Sequence, residues 1–139
     1  MRPVWAVVMT AAAVAAWWWL RGLAGGWGIL LFMLSGMALV LLAPVVMALL
    51  LLGRRWLGRR TSVLFGVQAG LLVLVSLLMP DQGDTDPQAP IAVLLGQQYI
   101  SDAERGFLLL IGVVLAAVWL ALVPITAVFA WKVERAPVD

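Results

Sequence analysis

Long apolar runs, separated by short charged segments, dominate the chain. Four stretches contain no charged residue: 3–20, 22–53, 61–80 and 106–131. A helix needs roughly 20 apolar residues to cross a bilayer, with a range of about 17 to 25. The pattern predicts four transmembrane helices, over residues 4–20, 27–52, 63–79 and 107–131. We therefore expect an all-α fold, a polytopic four-transmembrane-helix bundle that forms a single membrane domain over residues 1–139.

The first stretch has an alternative interpretation as a secretory signal, because Arg2 precedes a short apolar run rich in small residues. Its apolar character continues through Trp17–Leu20, which makes the run longer than the core of a signal sequence. We therefore interpret this stretch as the first membrane span.

The composition supports a membrane location. Hydrophobic residues make up 65% of the chain and charged residues 12%, whereas a soluble domain is about half apolar and about a quarter charged. Leu, Ala, Val, Gly, Arg and Trp are common and Lys is rare, a usage typical of GC-rich bacterial genomes. We expect a multi-pass protein of a bacterial inner (plasma) membrane.

The residue types that are missing narrow the chemistry. The chain has no His and no Cys, so it lacks the usual ligands of haem, iron–sulfur, copper and structural zinc sites and the usual general base and thiol nucleophile. The four charge-free stretches also lack the ionisable residue that most proton-coupled transporters carry inside a span. We expect no cofactor, no metal site and no enzymatic activity.

The acids outside the spans have structural explanations. Asp81, Asp84 and Asp86 lack the spacing of a calcium-binding loop and suit a solvated acidic loop over residues 80–106. Ile91–Ile100 is too short to cross a membrane and is expected to form a short outer interfacial helix. Ser101-Asp102-Ala103-Glu104 has the pattern of a capping box. The fourth helix is therefore expected to begin near Asp102.

The distribution of charge predicts the orientation of the chain. Four spans place both termini and the loop 53–62 on one face, with two basic residues and five of the seven acids opposite. That face carries seven basic residues: Arg2, Arg54, Arg55, Arg59, Arg60, Lys132 and Arg135. Because basic residues stay on the cytoplasmic side, we expect both termini to be cytoplasmic. Seven of the eight tryptophans fall at the predicted membrane boundaries, where indole rings are enriched. The exception is Trp119, whose indole N–H needs a buried partner or a polar cavity.

The inner loop is the strongest local charge feature. Two arginine pairs, Arg54–Arg55 and Arg59–Arg60, flank Trp56. Such a loop attracts anionic lipid headgroups, and simple topological anchoring also accounts for it. A specific lipid pocket and an acidic cytoplasmic partner are the sharper alternatives. Nucleic acid is not an expected partner, because the loop is short and lies at the membrane.

Few polar side chains fall inside the spans, and Gln68 is the most costly of them in lipid. Counted at 1.5 Å per residue, Gln68 and Thr126 lie at about the same depth, roughly 7–8 Å from the inner ends of their spans. We expect them to form a hydrogen bond between helices, and a polar lining of a conduction path is the alternative.

Small residues and prolines mark further packing features. Ser62, Gly66 and Gly70 are spaced four apart and form a ridge that permits close approach of another helix. Pro44 and Pro124 occupy the cytoplasmic halves of the two long spans and are expected to kink them. A pseudo-repeat of two helical hairpins is an interpretation that these prolines leave open.

These features favour a non-enzymatic integral membrane protein, an accessory, scaffold or assembly subunit that packs against another membrane protein or forms a homo-oligomer. The alternative is a small oligomeric transporter or channel for an uncharged or lipid-like solute. It would have Pro44 and Pro124 as hinges, and Gln68, Trp119 and Thr126 near the path.

Overall fold

The computed structural model describes residues 1–24, 35–80, 89–97 and 100–132. Over this part of the chain the protein is all-helical, with 82% of residues in helices and no strand. The helices within these ranges are α1 (Pro3–Ala24), α2 (Met37–Leu50), α3 (Arg59–Leu78), α4 (Pro90–Leu94) and α5 (Asp102–Lys132). α1, α3 and α5 are long and apolar enough to cross a membrane, and α2 is a shorter apolar helix. The predicted all-α, membrane-compatible fold is thus confirmed.

The start of α5 is defined by a capping box. The backbone N–H of Glu104 donates to Ser101 Oγ at 3.2 Å, and the backbone N–H of Ser101 donates to Glu104 Oε2 at 2.8 Å. These reciprocal bonds satisfy amides that have no helical partner, so the helix begins at Asp102. Glu104 is exposed and precedes the apolar stretch 107–131. Hydrogen bonds from the Ser101 backbone and hydroxyl stabilise its carboxylate and lower the pKa of Glu104.

The second predicted span differs from a single continuous helix. Ser35 and Gly36 form a turn, and α2 begins only at Met37. Gly36 has φ of 71°, the left-handed region in which glycine carries no Cβ penalty. The apolar run over 27–52 did not indicate this break, because hydrophobicity alone does not record backbone conformation. Residues 27–34 lie outside the described part.

The inner loop is shorter than predicted. α3 begins at Arg59, directly after Gly58, so Arg59 and Arg60 form the first turn of a helix. The connection between α2 and α3 therefore spans 51–58 instead of 53–62. Near the end of this connection, the backbone N–H of Leu57 donates to the Met1 carbonyl at 3.0 Å, which holds the start of the chain against the connection.

α3 is the central helix of the bundle. It packs along α1 on one side and along α5 on the other, while α1 also packs against α2. The short helix α4 lies against α1 and α3. One core cluster joins the beginnings of α1 and α3 to the ends of α2 and α5: Ala6, Met47, Ala48, Leu51, Leu57, Phe65 and Ala130. α1 and α3 therefore run in one direction, and α2 and α5 run in the opposite direction.

A second core cluster lies nearer the opposite end of the bundle and contains two tryptophans. Its buried members are Ala13, Val14, Trp17, Leu41, Ala69, Leu72 and Trp119. Trp17, predicted from the sequence to lie at a membrane boundary, is 7% exposed and packs edge-on against Trp18 with ring centroids 5.0 Å apart. Trp19 is 63% exposed. The cluster is the part of the core that surrounds the polar groups described next.

The closest backbone approach to a helix glycine occurs at Gly112. A Cβ added there would lie 3.3 Å from both Cα and Cβ of Met79, at the end of α3. By contrast, a Cβ added at Gly66 or Gly70 would meet no atom within 4 Å in the described part of the chain. The space beside Gly66 and Gly70 is therefore unoccupied among the described residues, and the packing role of the predicted ridge of Ser62, Gly66 and Gly70 stays a prediction.

Candidate functional site

A buried hydrogen bond links α3 to α5. Gln68 Nε2 donates to Thr126 Oγ1 at 2.9 Å, and the two residues are 1% and 0% exposed. Thr126 Oγ1 in turn donates its proton to the Leu122 carbonyl at 2.8 Å, so it offers Gln68 only a lone pair. This assigns the amide orientation, because Gln68 must then present its NH₂ group to Thr126. The structure brings together the two polar residues that the sequence placed at one depth.

Gln68 also lines a small cavity between the helices. This cavity has a volume of about 10 Å³ and is lined by residues from all four long and intermediate helices, among them Thr10, Pro44, Gln68 and Trp119. Trp119 is 4% exposed. Gln68 Oε1 and Trp119 Nε1 are buried without a hydrogen-bond partner among the described residues. One acceptor and one donor therefore share the lining of a single cavity.

Two other buried hydroxyl groups, those of Thr10 and Ser76, bond within their own helices. Thr10 Oγ1 donates to the Ala6 carbonyl at 2.8 Å, and Ser76 Oγ donates to the Val73 carbonyl at 2.8 Å. Such bonds to the preceding turn satisfy a hydroxyl proton without help from a neighbouring helix. They leave the oxygen lone pairs of Thr10 at the edge of the cavity.

The two helix prolines have different surroundings. Pro44 is buried and lines the cavity, whereas Pro124 is exposed. Proline has no N–H, so the carbonyls of Val40 and Leu120, one turn earlier, each lose their helical donor. α2 and α5 both continue on either side of these positions, and the kinks stay predictions.

Two arginines bind backbone carbonyls at the ends of helices. Arg54 Nη1 donates to the carbonyl of Ala130, in the last turn of α5. At the opposite end of the bundle, Arg21 Nη1 donates to the Met79 carbonyl, just after α3, at 2.6 Å. The final carbonyls of a helix have no intrahelical donor and carry partial negative charge. A guanidinium group supplies both the missing hydrogen-bond donor and a positive charge next to the partial negative charge.

The remaining arginines of the inner loop are directed outward. Arg55, Trp56, Arg59 and Arg60 are exposed, and the guanidinium of Arg2 lies 5.6 Å from the centroid of the Trp56 ring. Arg54 differs from this group, since it is half-buried and donates to α5. We call the surface formed by Arg2, Arg55, Trp56, Arg59 and Arg60 the basic end.

Sequence reasoning missed the two arginine–carbonyl contacts and the shared cavity. Depth counting placed Gln68 opposite Thr126, but it contained no information about which residues face Trp119 across the bundle. A signal for Arg54 was present, because a basic residue next to a predicted helix end suits a free carbonyl. The acids Asp81, Asp84 and Asp86, together with Tyr99, lie outside the described residues.

Removing either partner of the Gln68–Thr126 bond is expected to have unequal effects. Thr126→Val leaves the Gln68 NH₂ group buried without its acceptor, a loss of about 1–3 kcal/mol in the free energy of unfolding. Gln68→Leu removes the amide while Thr126 keeps its bond to Leu122, so it costs less. The double variant is expected to resemble Gln68→Leu.

Reversible unfolding in mixed micelles measures this double-mutant cycle. Interhelical bonds in membranes have coupling energies averaging about 0.6 kcal/mol, up to about 1.7. Ser76→Ala is the matched control, since its hydroxyl bonds only within α3. Strictly additive effects of the two substitutions would show that the bond makes no contribution to stability.

Arg54 and Arg55 provide a second matched pair. Arg54→Gln removes the charged donor from the Ala130 carbonyl and is expected to lower the free energy of unfolding by about 1.5–3 kcal/mol, the usual range for a hydrogen bond to a charged group. Arg55→Gln changes an exposed side chain and is expected to stay within about 0.5 kcal/mol. Thermal unfolding in detergent compares them, and equal effects of the two substitutions would contradict the capping role.

Comparisons with known protein families, with curated proteins and with solved structures found no match for this chain. The function proposed next therefore depends on the chain's own residues and contacts. Its support comes from the exposed surface of α5 and from the basic end.

Proposed function

We propose that the protein is a non-enzymatic subunit of a larger membrane complex, with an accessory, scaffold or assembly role, and that the outward face of α5 binds the partner. One observation carries this proposal. In its most apolar window α5 is buried over only 11% of residues, compared with 39% in α1 and in α3. Among the three long helices of the described residues, α5 thus has the smallest buried share.

The exposed face of α5 has the composition of a helix contact. It contains Val113, Ala117, Val118, Ala121 and Ile125, all exposed. Ala117 and Ala121 are four residues apart and permit close approach of another backbone. Lipid can cover any apolar face, but small residues favour helices as neighbours, because van der Waals packing drives association in membranes.

The membrane arrangement is part of the proposal. We place the predicted second span (27–52), of which α2 is the described helix, across the membrane together with the three longer helices, as a four-span bundle. The alternating helix directions and the basic end support this arrangement. By the tendency of basic residues to stay cytoplasmic, the basic end faces the cytoplasm and both termini lie there. A bacterial inner membrane is the proposed location.

Anionic lipid headgroups are the second partner. Four exposed residues of the basic end are arginines, and each basic residue near an anionic surface contributes about 1 kcal/mol. The Arg2–Trp56 contact holds a charged group next to an indole that prefers the headgroup level. The basic end therefore anchors the subunit while α5 remains free to bind its partner.

The alternative function is oligomeric transport of an uncharged or lipid-like solute. The two polar side chains Gln68 and Trp119 in the lining of the cavity favour it, because polar groups in a bundle interior can line a path. With a volume of about 10 Å³, the cavity has the size of about one water molecule. A path for a larger solute would therefore have to form between several copies of the chain.

Photo-crosslinking in native membranes tests the proposal. A photoreactive residue at Val118 on α5 is expected to link to a protein larger than this 15.0 kDa chain, whereas the same residue at Val8, on the exposed face of α1, is expected to link far less. The linked protein should then co-purify with the unmodified chain in a mild detergent at fixed stoichiometry.

A pair of alanines provides the matched variants. Ala121→Leu adds bulk to the proposed contact, and overpacking costs about 1–3 kcal/mol. The affinity for the partner, and with it co-purification, is then expected to fall by about 5- to 150-fold, since each 1.4 kcal/mol is a factor of ten. Ala12→Leu, at an exposed position of α1, should leave it unchanged. A linked product of twice the chain's mass would favour the oligomeric alternative, and no linked product at Val118 would contradict the proposal.

A further inference from the structure

The cavity inside the bundle combines features that define a hydration site. Gln68 and Trp119 are 1% and 4% exposed, and both line it. Each contributes one polar atom that has no hydrogen-bond partner among the described residues, the Gln68 Oε1 acceptor and the Trp119 Nε1 donor. Buried polar atoms in native proteins are nearly always hydrogen-bonded, to protein or to ordered water.

We propose that this cavity binds a single ordered water molecule, which accepts a hydrogen bond from Trp119 Nε1–H and donates one to Gln68 Oε1. The size of the cavity supports one molecule, because about 10 Å³ is close to the smallest space that holds a water. The chemistry of the lining supports water as the occupant, since cavities that stay dry are lined by apolar groups alone.

The orientation of the Gln68 amide makes the acceptor available. Thr126 Oγ1 uses its proton for the Leu122 carbonyl and therefore binds the Gln68 NH₂ group. The carbonyl oxygen of Gln68 must then point away from Thr126. Flipping the amide would place two acceptors against each other, so the unpartnered oxygen is fixed by the contacts on α5.

Further groups at the cavity suit the second proton of the water. Thr10 Oγ1 donates to the Ala6 carbonyl and keeps lone pairs that accept hydrogen bonds. Pro44 also lines the cavity, and it leaves the Val40 carbonyl of the preceding turn without a helical donor. A buried water typically makes about three hydrogen bonds, which Trp119, Gln68 and one of these acceptors provide.

The water joins helices that the direct contacts connect only in part. The Gln68–Thr126 bond links α3 to α5, and the water adds a second link from Gln68 to Trp119, two turns before Thr126 on α5. Thr10 or Val40 extends the network to α1 or α2. This inference is independent of the proposed function, because it concerns the interior of one chain and requires no partner.

Water–protein cross-relaxation in NMR tests the proposal on the full chain. The protein is labelled with ¹⁵N-tryptophan and held in micelles of a detergent without hydroxyl groups. The indole signal of Trp119, one of eight in the chain, is identified by its loss in Trp119→Phe. We expect water cross-peaks of opposite sign in NOE and ROE spectra at this indole proton, the signature of a bound water. A missing cross-peak, or cross-peaks to detergent chains instead, would overturn the proposal.

Substitutions at two neighbouring alanines test whether the water lies in this cavity. Ala13 is 5% exposed and lines the cavity, whereas Ala12 is exposed on the same helix. Ala13→Val fills the space and is expected to abolish the cross-peak, while Ala12→Val is expected to preserve it. Gln68→Leu, which removes the acceptor, provides a second variant with an expected loss. A cross-peak that survives both Ala13→Val and Gln68→Leu would place the water elsewhere and contradict the assignment.

Discussion

Hydrocarbon offers no hydrogen bonds, so a polar group inside a membrane helix must find its partner within the protein. The interior of this bundle follows that constraint closely. Thr10 and Ser76 bond to their own helices, and Gln68 on the central helix α3 bonds to Thr126 on α5. The order of these bonds matters, because the bond of Thr126 to Leu122 determines which end of the Gln68 amide faces the cavity. The Thr126 hydroxyl on α5 thereby leaves the carbonyl oxygen of Gln68, a hydrogen-bond acceptor, without a partner among the described residues.

The same constraint acts at the two ends of the bundle, where the last carbonyls of each helix lack donors. Arg54 satisfies one at the end of α5 and Arg21 one at the end of α3. Arg54 also belongs to the charge pattern that predicts the orientation of the chain, whereas Arg21 is one of the two basic residues at the opposite end. A few arginines therefore serve two purposes, since each places positive charge at a membrane boundary and closes a helix of a neighbouring span. This dual use suits a small chain with few charged residues.

Hydrophobic patterning predicted α1, α3 and α5 well, because the length of an apolar run and a capping box are local properties of the sequence. It missed the turn at Gly36, which depends on a left-handed backbone conformation, and it placed the start of α3 several residues late, because it assigned two arginines to a loop instead of a first helical turn. Depth counting also suggested the Gln68–Thr126 pair. Depth counting did not predict that Gln68 and Trp119 line one cavity, because the rotation of each helix about its axis is set by packing and not by residue spacing.

The proposed arrangement is a bundle that crosses the membrane, with its basic end in the cytoplasm and the outward face of α5 exposed to a partner. The chain has no native cysteine, so single cysteines report accessibility without background. The most direct measurement labels Arg55→Cys, at the basic end, and Gln97→Cys, exposed beyond α4, with a membrane-impermeant maleimide in intact cells and after lysis. For this orientation we expect Gln97→Cys to react in intact cells and Arg55→Cys to react only after lysis. Reaction of both from the same side would contradict it.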